Sequence, residues 1–204
     1  MKIIRIFFLL LCTVFINSNS FAMPRKIIIL GDSLTEGYGV AQIAAFPALI
    51  QQKILRDQLN WELTSSGSSG STSASGLQRL KWVAKNKPDV VLLLLGSNDG
   101  LRGLKTSETE KNLNKAISWA NEQKIQIILG QLYMPPNYGK KYTDDFAKIY
   151  TNVAKKNKIK LLSFLLEKIA GKPEYNLPDG IHPNEKGHQI IAENIYAELK
   201  PFLK

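Results

Sequence analysis

Asp89-Val90-Val91-Leu92-Leu93-Leu94-Leu95 runs to Gly96 without a polar interruption. Such a run leaves a strand no wet side, so it belongs inside a sheet covered on both faces, the usual setting of a parallel strand. Lys26-Ile27-Ile28-Ile29-Leu30, stopping at Gly31, repeats the pattern with β-branched residues. Three weaker runs, 61–64, 125–129 and 160–162, bring the set to five. Between them apolar residues return at helical spacing: Leu49, Ile50, Ile54, Leu55 and Leu59 within 46–59, then further stretches at 77–84, 109–121 and 144–156. Asn184 is placed to cap a last helix ending near Leu199.

Strands alternating with helices through short connections predict one α/β domain, a three-layer α/β/α sandwich of flavodoxin-like kind. Its five-stranded parallel sheet should run in the order 2-1-3-4-5. In such sheets ligands bind beyond the carboxyl ends of the strands, near the switch in strand order. Chemistry is therefore sought after Leu30, after Thr64 and after Leu95.

The first 22 residues follow another logic. Lys2 and Arg5 open the chain, residues 6–16 are almost wholly apolar, and Ser20-Phe21-Ala22 offers small residues where a signal peptidase reads. This predicts a secretory signal peptide at 1–22, cleaved after Ala22, because the apolar run of about 11 residues is short for a membrane span. The domain then occupies 23–204 and acts in the periplasm or outside the cell. Cys12, the one cysteine in the chain, falls in the leader, and Leu11 before it does not suit a lipoprotein signal. The mature chain has no thiol for a disulfide, a Cys nucleophile or a thiolate metal site.

Without Lys2 and Arg5 the formal charge falls from +10 to +8. A basic surface attracts anionic groups, so a weak association with an anionic membrane surface is expected. The lysines are scattered, however, and mainly confer solubility. No basic-aromatic motif for nucleic acid is present, and nothing calls for more than a monomer.

Three loops carry candidate chemistry. Gly31-Asp32-Ser33-Leu34-Thr35 follows the first strand, where a starting helix supplies N–H groups and positive partial charge. Ser33 is a candidate nucleophile there, although an Asp/Ser helix cap reads the same way. A serine needs a base, and the chain has only two histidines. His182 lies in Asp179-Gly180-Ile181-His182-Pro183, and Asp179, three residues earlier, is spaced to hold the imidazole tautomer. His188 sits in the predicted last helix with no acid at a matching spacing. The third loop, Gly96-Ser97-Asn98-Asp99-Gly100, offers Asn98 as a neutral, directional oxyanion donor. The Gly-x-Ser-x-Gly elbow of α/β-hydrolases is absent, and two histidines offer no recognisable metal-ligand spacing.

These blocks, with the loop Ser68-Ser69-Gly70-Ser71-Thr72 between the first and third, resemble the SGNH (GDSL) hydrolase family, whose four letters fall on Ser33, Gly70, Asn98 and His182. The likeness spans nearly all of 23–204. It is closest to the periplasmic thioesterase I/lysophospholipase/arylesterase branch, through Asn98-Asp99-Gly100-Leu101-Arg102-Gly103 and Pro136-Asn137-Tyr138-Gly139. The resemblance implies a serine esterase or thioesterase acting through an acyl-enzyme on small acyl or aryl esters, thioesters or lysophospholipids. It implies an oxyanion hole of the Ser33 and Gly70 N–H groups with the Asn98 side chain, a shallow open site and no cofactor. Ser71 departs from the Asp common in that branch, which leaves Gly67 as an alternative to Gly70.

Substrate is expected to border Asp32 and Leu34 beside the nucleophile. Leu101, Leu104, Tyr133, Met134, Pro136 and Tyr138, following strands three and four, are expected to form an acyl groove. Two other readings remain: a carbohydrate acetylesterase on the same fold, and a non-catalytic envelope-binding module.

Overall fold

The computed structural model describes residues 23–203; the predicted leader, 1–22, lies outside the described residues. Five parallel strands form one sheet in the order β2-β1-β3-β4-β5, as the alternation of runs predicts. They are β1 (Arg25–Gly31), β2 (Trp61–Gly67), β3 (Val90–Leu94), β4 (Gln126–Gln131) and β5 (Lys160–Phe164). β1 and β3 lie at the centre, paired from Ile27↔Val90 to Gly31↔Leu94. Their side chains are almost entirely buried, which is why neither sequence alternates.

The helices are α1 (Ser33–Glu36), α2 (Phe46–Arg56), α3 (Gly76–Val83), α4 (Ser97–Leu101), α5 (Thr106–Glu122), α6 (Lys140–Asn157) and α7 (Glu185–Leu199). α2 packs with α7 on one side of the sheet, and α5 packs between α3 and α6 on the other. This is the three-layer sandwich. The Asn184 side chain accepts the Gly187 N–H at 3.1 Å and caps α7 as expected, a contact of about 1 kcal/mol. None of the described helices is long and apolar enough to cross a membrane.

Three boundaries differ from the sequence reading. β2 continues to Gly67, three residues past the 61–64 run, because Ser65, Ser66 and Gly67 pair with Ile29, Leu30 and Gly31. Gly67 presses against the α1 backbone: an added Cβ would stand 2.1 Å from the Glu36 nitrogen. The segment after β3 is a helical turn, α4, rather than an open loop. α6 starts at Lys140, four residues early, with Lys140–Asp144 and Lys141–Asp145 pairs, both 2.8 Å, on its exposed first turns. The carboxyl ends of β1, β2 and β3 thus present α1, the 68–72 segment and α4 side by side.

Candidate active site

Ser33 opens α1 directly beyond β1, and the Asp32 side chain caps that helix by accepting the Leu34 N–H at 3.1 Å. The chain from the other end of the sequence meets it there. His182 Nε2 lies 2.9 Å from Ser33 Oγ, and His182 Nδ1 lies 2.8 Å from Asp179 Oδ2. Asp179 Oδ1 also accepts the N–H groups of Ile181 at 2.9 Å and His182 at 3.0 Å, closing a tight turn around the carboxylate. Partial burial works against its charge. The His182 and Ile181 N–H groups and the imidazole outweigh that and hold the carboxyl at about 2, below the ordinary 3.8. A carboxylate that stays charged accepts the Nδ1 proton, so the Nε2 lone pair faces the serine hydroxyl.

His188 is occupied elsewhere. It is buried, its Nδ1 accepts the Phe46 N–H at 3.2 Å, and its ring stacks on Phe46. It therefore fills the missing cap of α2, whose N-cap residue Ala45 has no side chain to offer. Burial pushes its pKa down to about 4, so it stays neutral across the physiological range.

Three N–H donors stand on adjacent loops. The Ser33 N–H belongs to the first turn of α1, where no intrahelical acceptor exists. Gly70 has a φ of +74°, a value glycine adopts without penalty, and its carbonyl accepts from Arg102 Nη2 at 3.0 Å. Asn98, at the start of α4, donates one Nδ2 hydrogen to the Ser71 carbonyl at 3.0 Å, which sets the amide beside the Gly70 loop and leaves its second hydrogen uncommitted. Gly67 by contrast is held within β2. The structure therefore favours Gly70 over Gly67 for a loop position open to a ligand.

Several supporting residues had no signal in the sequence. Asp99 is buried and accepts the Ser73 N–H at 2.8 Å, the Ser73 hydroxyl and the Thr109 hydroxyl at 3.2 Å, pinning α4 to the segment after β2 and to α5. Arg79 donates to the carbonyls of Gly31, at 2.7 Å, and Ser66, joining the ends of β1 and β2. The Glu36 carboxylate takes the N–H of Ser69 at 2.7 Å and its hydroxyl. Tyr38 places its ring against the imidazole, 4.5 Å between centroids. An Asp in an Asn-Asp-Gly turn and an Arg in a helix read as surface residues; only proximity in space reveals their partners.

Two expected substrate contacts are corrected. Asp32 is 1% exposed and Leu34 is 7% exposed, so both lie beneath the nucleophile rather than at a surface. Burial pushes the Asp32 carboxyl above the ordinary carboxylate range. The expected acyl groove is only partly assembled. Leu104 and Tyr138, with Lys105 and Tyr142, line a cavity of about 680 Å³, but Ser33, Asn98 and His182 are not among its walls. Met134 packs under Gly100, and the Tyr138 hydroxyl donates to the Leu101 carbonyl at 3.0 Å, so both serve to hold α4. Tyr133 is exposed and meets Phe164 edge-on, and Pro136 is exposed.

The GDSL-like lipase/acylhydrolase family model matches residues 29–190, which include every residue of this constellation. An arylesterase of Vibrio mimicus is 36% identical over 176 residues, covering 86% of this chain and 88% of its own. The thioesterase 1/protease 1/lysophospholipase L1 of Escherichia coli is 37% identical over 183 residues, covering 89% and 86%. Among solved structures, the psychrotrophic esterase EstA of Pseudoalteromonas sp., in a form inhibited by monoethylphosphonate, has a TM-score of 0.84 at 33% identity and covers 88% of this chain and 98% of that one.

Proposed function

The chain belongs to the GDSL-like lipase/acylhydrolase family and is a carboxylic ester hydrolase of the SGNH type, and from that premise we propose that Ser33 is its nucleophile, His182 its base and Asp179 the orienting acid. The observation that carries this is the unbroken chain Ser33 Oγ–His182 Nε2, 2.9 Å, and His182 Nδ1–Asp179 Oδ2, 2.8 Å, drawn from positions 149 residues apart. Ser33 Oγ attacks the acyl carbonyl as His182 takes its proton. The carbonyl oxygen becomes an oxyanion and is received by the N–H groups of Ser33 and Gly70 and by the Asn98 amide. His182 gives its proton to the departing alcohol or thiol, leaving an acyl-enzyme. Water, deprotonated by His182, then releases the acid and restores Ser33.

The neutral Asn98 amide is held in direction by its bond to Ser71, so it needs no reorganisation when charge appears. Asn98→Ala is therefore expected to lower kcat about 100- to 1000-fold with little change in KM, measured by steady-state hydrolysis of a p-nitrophenyl ester. An effect confined to KM would mean that Asn98 binds substrate without meeting the oxyanion.

For the physiological substrate we favour acyl esters, thioesters and lysophospholipids, on the strength of the names its relatives carry. The leader-like residues 1–22 support action in the periplasm or outside the cell, and the net charge supports a weak attraction to anionic lipid. The test is a panel of p-nitrophenyl esters from acetate to octanoate, a lysophospholipid and an acyl thioester, with Ser33→Ala as control. Turnover of the longer acyl groups is expected. Activity on acetate alone would favour a carbohydrate acetylesterase instead.

A further inference from the structure

We propose that Tyr38 is a positioning residue whose aromatic face steadies the protonated imidazole of His182 during the reaction, an inference that rests on His182 acting as the base. The two rings lie 4.5 Å apart between centroids and are tilted by 38°, within the roughly 6 Å over which a cation is drawn to an aromatic face. The segment carrying Tyr38 is built for this contact. Gly37 ends α1 in the left-handed conformation, and the Tyr38 N–H then bonds to the Ser33 carbonyl at 3.0 Å. Gly39 receives Leu177 so closely that a Cβ there would stand 2.4 Å from its methyl carbon, and the Leu177 N–H bonds to the His182 carbonyl at 2.7 Å. The same short segment thus grips both the nucleophile's helix and the histidine's loop, and the ring lies between them.

The ring itself is half exposed, at 52%, so core packing does not explain its place. No hydrogen bond holds its hydroxyl among the described residues, so it is the ring face that meets the imidazole. The ionisable groups facing His182 are few. Asp179 on its own loop is charged. Asp32 under α1 is buried, its carboxyl pushed above the ordinary carboxylate range, and it interacts electrostatically with the imidazole. His188 on α7 is neutral, with its pKa down at about 4. Beside these groups the Tyr38 ring, 4.5 Å from the imidazole, supplies negative potential to an imidazolium.

The consequence has a sign. A ring that favours the imidazolium over the neutral imidazole lowers the barrier to forming the charged intermediate, so its removal should show in kcat and in the pH profile. Tyr38→Leu should therefore lower kcat about 2- to 5-fold and move the acid limb of the kcat/KM profile to lower pH by about 0.3 to 0.7 units, with KM nearly unchanged. Tyr38→Phe, which keeps the ring and drops the hydroxyl, should behave as wild type, and Tyr38→Trp should restore the limb. The experiment is the pH dependence of p-nitrophenyl butyrate hydrolysis by the four proteins, alongside their thermal midpoints and the labelling of Ser33 by a fluorophosphonate probe. A Leu variant with lower kcat but an unmoved limb, or a Phe variant as impaired as Leu, overturns the proposal. If wild type takes no label and shows no acid limb, the serine-hydrolase assignment fails first and this inference with it.

Discussion

Ser33→Ala is expected to lower kcat by at least about three orders of magnitude while leaving KM and the thermal midpoint nearly unchanged. The Ser33 hydroxyl has one partner among the described residues, His182 Nε2, and no role in holding β1 or α1. Asp32 caps the helix and the α1 main chain carries its own bonds, so alanine removes chemistry without removing structure. What remains is attack by water within the oxyanion hole, which typically leaves some residual rate over the uncatalysed reaction. Initial rates on p-nitrophenyl butyrate, with circular dichroism of both proteins, check it. A variant within tenfold of wild type would mean that another group attacks.

Asp179→Asn is expected to reduce kcat by about four orders of magnitude, a larger effect than the loss of any oxyanion donor. The carboxylate does two things here. One oxygen, Oδ1, shapes the turn through the N–H groups of Ile181 and His182, and the other meets the imidazole. An asparagine carbonyl can still accept both main-chain bonds, so the loop keeps its form. Its NH₂ then faces Nδ1 and donates, which obliges the imidazole to carry its proton on Nε2. That tautomer offers Ser33 a hydrogen where it needs a lone pair. The native carboxylate, held at about 2, keeps its charge down to strongly acidic pH. Its depressed pKa favours the folded state above pH 3.8, and that contribution is lost as pH falls through 2. Steady-state kinetics of Asp179→Asn check the main claim: a loss below tenfold would show that the imidazole is oriented by something else.

The sheet and the three side chains that meet at the proposed site were open to reading because both leave one-dimensional signals. Ile27 to Leu30 and Val90 to Leu95 are apolar because they are buried on both faces, and burial is what a pattern of residues records. His182 is one of only two histidines, Ser33 stands at a strand end and Asp179 in a proline-bounded loop, so rarity singles out the first and position the other two. β2 was truncated because Ser65 and Ser66 pair through their main chains with Ile29 and Leu30, a contact that leaves no mark on side-chain polarity. The same blindness hid Asp99 and Arg79, polar residues that earn their burial only through partners distant in sequence. It also misplaced Asp32 and Leu34: adjacency to Ser33 in the chain suggested adjacency to substrate, whereas a helix turning at Ser33 sends its neighbours inward. The groove was the least legible part. An apolar residue in a loop reads alike whether it faces substrate or, as Met134 does, the underside of a helix.

The most direct test of the central claim is covalent. A fluorophosphonate incubated with the protein, followed by digestion and mass spectrometry, should place one phosphonyl group on Ser33, abolish esterase activity in proportion to labelling, and fail with His182→Ala. Stoichiometric labelling at a different serine, or full activity in a protein whose Ser33 is completely modified, would contradict the account.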